Sequence, residues 1–304
     1  MCGMNIIKNR KFFYCISGAL TFLAFVAFFL WGLKPGIDFI GGSLMEIEFI
    51  EDRANPESIQ TAFRDAGIAT VVVQGAGEKG YMLRFRNISE DEHHVLTAKL
   101  SGNSKNPDSV FMEKRFNTIG PAIGRELQTS SYKAIALVLV FILLYVAWAF
   151  RRVSEPVSSW KYGIVAIITL LHDISIPIGV FAYLGHFFGV EIDMLFISGI
   201  LTILGFSVHD TIVVFDRIRE KLLTEKDHGS FEDIVERSVK ETIVRSINTS
   251  LTVIVALTAV FFFGGDTTRF MSLLLIIGMA VGVYSSIFIA SPLLVSFERI
   301  KKRA

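Results

Sequence analysis

Six apolar stretches, Phe12 to Leu33, Tyr132 to Phe150, Tyr162 to Leu184, Ile192 to Phe215, Ser246 to Phe263 and Phe270 to Val295, dominate the chain. Crossing about 30 Å of hydrocarbon as a helix takes roughly 20 residues, so each is read as a membrane span. The first follows Lys8, Arg10 and Lys11 as a signal peptide would. Its apolar run is too long for one, and no small-residue cleavage site precedes Lys34, so it reads as an uncleaved anchor. Between Lys34 and Ser131 the period changes. Leu44 to Phe49 alternates as a strand does, and Pro56 to Ala66 is helical behind an Asn55 cap. Thr70 to Gln74 is β-branched before the Gly75 and Gly77 turn, and Tyr81 to Phe85 reads as a strand. Ser89 with Glu92 forms a capping box, and Val110 to Asn117 closes as a last strand. The order βαββαβ predicts a ferredoxin-like α+β domain, which by itself specifies no function.

Composition agrees with the spans: 52% hydrophobic residues, 27 Phe and a mean hydropathy of +0.52 exceed the needs of a soluble domain of 304 residues. The fold class is a polytopic α-helical membrane protein of six transmembrane helices with one extracytoplasmic α+β domain. Four parts are expected: 1–33, the amino terminus and first helix; 34–131, the soluble domain; 132–295, a five-helix bundle; and 296–304, a basic tail. A net charge of +1 carries no nucleic-acid footprint. Cys2 and Cys15 suggest neither a disulfide framework nor a metal site. Lys and Arg orient the chain. One side holds 17 of them in its terminal and short connecting segments, while the short loops Gly185 to Glu191 and Gly264 to Arg269 hold only Arg269. The positive-inside rule then places both termini in the cytoplasm and Lys34 to Ser131 outside.

The polar residues inside the spans are few. His172 and Asp173 fall mid-way along the third, His209 and Asp210 about one and a half turns from the cytoplasmic end of the fourth, and Arg245 opens the fifth. A central charge costs roughly 2.5 to 3.5 kcal/mol even on mild scales, so such groups face a protein interior or a wet cavity. Desolvation favours the neutral acid and a nearby Arg the charged one, so a carboxylate caught between them can exchange protons. Arg cannot give up its proton, which leaves Arg245 to bias Asp210 electrostatically. His172 and His209 can relay protons or simply pack, and neighbours on a helix point about 100° apart, so a His and its adjacent Asp do not both face one partner. The alternative for the acids is an interhelical hydrogen bond that only fixes packing, or for Asp210 access to interfacial water. Gly278 and Gly282, continued by Ser285 and Ser286, form a small-residue packing stripe. Pro177 with Gly179 permits a bend near Asp173. The charged run Asp216 to Lys226 reads as an amphipathic helix at the membrane surface.

These residues resemble the SecF family of bacterial Sec accessory subunits, within the proton-driven exporters that include the resistance, nodulation and division pumps. Gly36-Ile37-Asp38-Phe39-Ile40-Gly41-Gly42 is similar to the glycine-rich approach to the family's external domain, and Ile119-Gly120-Pro121 with Gly124 to the way out. His172-Asp173, Ser207 to Glu220, Arg245-Ser246 and Thr249-Ser250 are similar to its third, fourth and fifth helices. His209 departs from the pattern, standing where the family more often carries Asn. The resemblance implies a multi-pass subunit of the bacterial inner membrane that pairs with SecD and uses the proton-motive force to assist preprotein export through SecYEG. Asp210 and Arg245 would form the proton-handling site, joined by Asp173, His172 and His209; no cofactor beyond the coupling proton, no metal and no catalytic residue is implied, and membrane lipids surround the bundle. The glycines flanking the domain are either ordinary turns or a hinge. A proton-coupled small-molecule or lipid exporter and a purely structural assembly subunit remain as alternatives, the first disfavoured by the small external domain. An enzyme is not expected, since no phosphate loop, metal cluster or activated nucleophile is present.

Overall fold

The computed structural model describes residues 5–51, 53–102, 110–151, 157–224 and 229–303; Cys2, Arg152 and Lys226, counted above, lie outside them. Two compact units result, one formed by 1–34 with 132–304 and the other by 35–131.

The smaller unit is built where the sequence alternates. Helix α2 (Ile37–Ile40), a turn the sequence pattern does not predict, leads into β1 (Gly42–Phe49), followed by α3 (Pro56–Asp65), β2 (Val71–Ala76), β3 (Gly80–Phe85), α4 (Glu90–Leu100) and β4 (Phe111–Ile119). All pairings are antiparallel, in the order β2-β3-β1-β4. Period 2 places Met45, Ile47 and Phe49 of β1 on one face, with Leu83 and Phe85 of β3, against Ile59 and Phe63 of α3 and Leu96 of α4. The expected caps form: Asn55 accepts from the Glu57 backbone N–H, and Ser89 and Glu92 close a capping box. Glu92 is also held by Arg86. That guanidinium, then the Ser89 backbone N–H, pull its carboxyl down to about 2.

The glycines around this unit make close backbone contacts. Gly41 and Gly42 have φ of +79° and +124°. A Cβ at Gly41 would lie 2.8 Å from the Pro121 Cα, and one at Gly124 would lie 2.8 Å from the Phe39 carbonyl oxygen. Gly36 caps α2 with extended backbone, and Gly120 has open space around it. Gly41 and Gly124 are thus demanded by close packing of α2 on the residues after β4 as well as by turn geometry.

The larger unit contains α1 (Arg10–Trp31), α5 (Pro121–Ala149, from Tyr132 onward), α6 (Ser159–Phe188), α7 (Met194–Thr224), α8 (Phe231–Phe263), α9 (Asp266–Ser285), a π-helical turn (Ser286–Ala290) and α10 (Ser291–Arg303). Among the described residues, six helices are long and apolar enough to cross a membrane, the last formed by α9 through α10. Several outrun their apolar stretches. Helix α8 starts at Phe231 rather than Ser246, because Ser230 and Asp233 form a second capping box in the charged region. The described part of Asp216 to Lys226 is the end of α7 and not a separate surface helix. The carboxy-terminal basic residues to Arg303 likewise continue α10. At one end Phe150, Tyr162 and Phe215 stack into the core, with Tyr162 5.1 Å and 5.3 Å from its two neighbours. Helices α6 and α7 and the α9–α10 span form the buried centre. The apolar window of α5 is 6% buried and that of α8 11%, against 56% for α6, so α5 and α8 leave wide faces open.

Two outcomes are expected. Gly41→Ala should cost about 1 to 3 kcal/mol in denaturant unfolding of the purified chain, from strain at positive φ, while Gly120→Ala stays near neutral; equal midpoints would contradict the packed junction. The depressed Glu92 carboxyl contributes stability that is present above its ordinary pKa of about 4.3 and is lost as pH falls through about 2. A carboxyl NMR titration should show that low midpoint, and Arg86→Gln should raise it.

Candidate functional site

Ser207, Asp210 and Thr211 stand three and four residues apart on α7, share one face, and are all buried. Each reaches a different neighbour. Ser207 donates its hydroxyl to Asp173 Oδ2 on α6. Asp210 Oδ2 accepts from Ser250 Oγ on α8 at 3.3 Å. Thr211 Oγ1 lies 3.0 Å from Ser286 Oγ in the π turn. One face of α7 is thereby tied to three other segments.

Asp173 is 0% exposed. Besides Ser207, its Oδ2 accepts from Ser285 Oγ of α9 at 2.7 Å, and its Oδ1 lies 2.9 Å from His172 Nδ1. The Ser285 hydroxyl is also 3.0 Å from the Gly282 carbonyl; the carboxylate is the stronger acceptor of its single proton. His172 Nε2 is buried without a hydrogen-bond partner among the described residues. Adjacent helical positions diverge, yet the His172 ring folds back onto Asp173 itself, so the pair forms one unit where the sequence suggested two separate groups.

Backbone irregularities frame this cluster. Pro177 has no N–H, so the Asp173 carbonyl four residues earlier lacks its helical donor. Pro292 does the same to Phe288, and the chain widens into the π turn just before it, where Ser291 Oγ donates to the Ser286 carbonyl at 3.2 Å. Close helix approach comes from glycine. A Cβ at Gly282 would lie 3.2 Å from the Ser207 Cβ, and one at Gly278 would strike the Ile203 side chain. Gly179, just beyond Pro177, admits Ala24 of α1, whose Cβ would be 2.6 Å from an added methyl.

The expected Asp210–Arg245 charge pair is absent among the described residues. Ser246 and Ser250, one turn apart, occupy the inward face of α8, which turns Arg245 outward, where it is exposed with Asn248, Thr249 and Thr252. His209 is exposed too and lies outside the cluster. Asp210 is not near a helix end: α7 runs on to Thr224, about four turns further. The hydroxyls of Ser207, Thr211, Ser250 and Ser285 complete the site. In the sequence they sit within motifs and packing stripes; Ser207, three residues before Asp210, has helical spacing from an acid, while Ser250 and Ser285 lie on other helices and carry no such signal. Among the described residues no group of three His, Cys, Asp or Glu side chains is placed to hold a metal ion.

A multi-pass bundle whose helices are tied together at a fully buried acid, with one small α+β domain inserted after the first span, is a membrane transport subunit in architecture. The family model for the SecD/SecF C-terminal protein export membrane protein matches residues 99–300, and that for the SecD/SecF GG motif matches 26–49. Protein translocase subunit SecF of Thermobaculum terrenum is 45% identical over 97% of this chain and 94% of its own length, and that of Anaerolinea thermophila 36% identical over 97% and 94%. A Thermus SecDF crystal structure, titled as a translocon-associated membrane protein, superposes with a TM-score of 0.80 at 29% identity. It covers 97% of this chain, which spans 39% of that longer one. SecDF in a super-membrane-facing form gives 0.68 at 28% identity, again with 39% of that chain covered. The chain belongs to the SecF family of protein translocase subunits.

Gly282→Leu should drive α9 off α7 and part Ser285 from Asp173, lowering stability by about 1 to 3 kcal/mol in thermal unfolding in detergent. Gly205→Ala, where a Cβ meets open space, should leave it unchanged; equal losses would contradict the close α7–α9 contact.

Proposed function

We propose that this chain pairs with SecD in an accessory unit that uses the proton-motive force to assist preprotein movement at SecYEG, with the proton as the only coupling species. The observation that carries this reading is the Asp173 cluster: a carboxyl group with no exposure, inside a membrane span, held by groups from α6, α7 and α9. Two serine hydroxyls donate to its Oδ2, an arrangement that favours the ionised form over the protonated one. A proton on Asp173 weakens both bonds, and so loosens α7 and α9 from α6 at one point. His172 offers a way in or out, since Nδ1 faces the acid and Nε2 is bare on its other side. Asp210, on the same face of α7, responds to the same helix shift through Ser250. A proton crossing 100 mV releases about 2.3 kcal/mol, enough to shift a two-state equilibrium tens of fold.

Arg245 supports the partnership. An exposed guanidinium at the edge of a membrane span, in a stripe with Asn248, Thr249 and Thr252, calls for a polar or acidic cover that lipid tails do not supply. The open face of α8 is where helices of SecD would bring it, placing Arg245 between the two subunits instead of against Asp210. By the positive-inside rule both termini are cytoplasmic and the 35–131 unit acts outside on the emerging preprotein. Its flanking residues Gly36, Asp38, Gly41, Gly42, Gly120, Pro121 and Gly124 would be the joint through which helix movement reaches it.

Export into membrane vesicles, with and without a proton gradient, tests this. Asp210→Asn and Asp173→Asn should each reduce gradient-stimulated export to the gradient-free level while SecD still co-purifies. Unimpaired stimulation in both variants would leave the acids a packing role only.

A further inference from the structure

Near the start of α1 the bundle holds a cavity of about 440 Å³ whose lining includes Lys8, Arg10, Lys11 and Arg299 together with Glu232, Asp233 and Glu236. The carboxylates there are already engaged. Glu232 takes both guanidinium groups, Arg10 at 3.5 Å and Arg299 at 2.5 Å. Glu236, 7% exposed, accepts the backbone N–H groups of Ile6 and Ile7 at 3.2 Å and 2.9 Å and pairs with Lys240 at 3.0 Å. Asp233 accepts from Ser230 in the α8 capping box. The cations are in surplus. Two guanidinium groups share the single carboxylate of Glu232, and each has more N–H donors than that contact uses. Lys8 and Lys11 are exposed, and no carboxylate pairs with either among the described residues. Four cations stand against three engaged carboxylates, so the cavity has a net positive lining.

Its place in the chain says how an anion would reach it. Lys11 is followed directly by Phe12, 63% exposed, where the apolar run of α1 begins, so on α1 the cavity lies beside the end of a helix long and apolar enough to cross a membrane. Arg and Lys recognise phosphate oxygens through charge-assisted hydrogen bonds, and basic pockets beside membrane helices on the cytoplasmic side take anionic headgroups. We propose that this cavity binds a phosphate group, presented by an anionic phospholipid of the adjoining leaflet, with Lys8 and Lys11 as its entrance and the Arg10–Glu232–Arg299 bridge as its floor. The bound lipid would join the amino-terminal segment, α8 and α10 at one point. Nothing in this depends on the proton reading.

The test uses the full chain, purified in detergent, stripped of lipid, and followed by thermal unfolding and by native mass spectrometry. Phosphatidylglycerol should raise the unfolding midpoint and remain bound, while phosphatidylcholine does neither. Lys8→Gln with Lys11→Gln should raise the phosphatidylglycerol concentration needed at least tenfold, and each single substitution, which keeps one ammonium for membrane insertion, should give part of that shift. A shift equally produced by inorganic phosphate alone would overturn the lipid as the source of the phosphate. Equal retention of both lipids, or unchanged phosphatidylglycerol binding in the double and both single variants, would overturn the site.

Discussion

A carboxyl group sealed inside a bundle of membrane helices has no water to fall back on, so each of its oxygens must be met by the protein. Asp173 meets this condition through His172 on its own helix, Ser207 on α7 and Ser285 on α9. Losing one donor from a buried acceptor costs on the order of 1 to 3 kcal/mol, so the acid adds to the apolar contacts that hold the three helices in register. The interhelical distances have to suit a serine, the shortest of hydroxyl side chains. Gly278 and Gly282 keep α9 close to α7 while Ser285 reaches Asp173: a Cβ at Gly278 would strike Ile203, and one at Gly282 would press on Ser207.

The proposed proton response draws on the same arrangement. A bond network whose strength depends on one charge is a two-state element, since adding a proton changes what every donor around it prefers. The segments that carry the donors are also the least regular in the bundle. Pro177 frees the Asp173 carbonyl on one side, and on the other the π turn Ser286–Ala290 precedes Pro292. Helices with such breaks can change register locally at lower cost than a continuous α-helix, and π segments gather at functional sites. Helix α7 distributes the effect because Ser207, Asp210 and Thr211 face three different neighbours from a single turn.

Much of the fold was legible in the sequence. The spans, the order βαββαβ, the Asn55 and Ser89 caps and the small-residue stripe each follow from short-range rules of period and capping, and the acids stood out by cost alone. Where helices end was less legible. Hydropathy marks what can sit in lipid, whereas a capping box such as Ser230 with Asp233 marks where a helix starts, and for α8 the two differ by four turns. Pairing was the least legible. Asp210 and Arg245 attract in principle, but Ser246 and Ser250 win the inward face of α8, which leaves the guanidinium exposed on the outer face. Hydroxyl partners leave little trace either, because serine in a membrane helix reads equally as packing.

The central claim is that the acid held by Ser207 and Ser285 passes protons. Proton flux measured with an internal pH dye, in proteoliposomes holding this chain reconstituted with SecD under an imposed gradient, tests it most directly. The account predicts flux in the native complex, its loss in Asp173→Asn, and slowing when Ser207 and Ser285 are both replaced by Ala. Native flux in Asp173→Asn, with the complex intact, would contradict it.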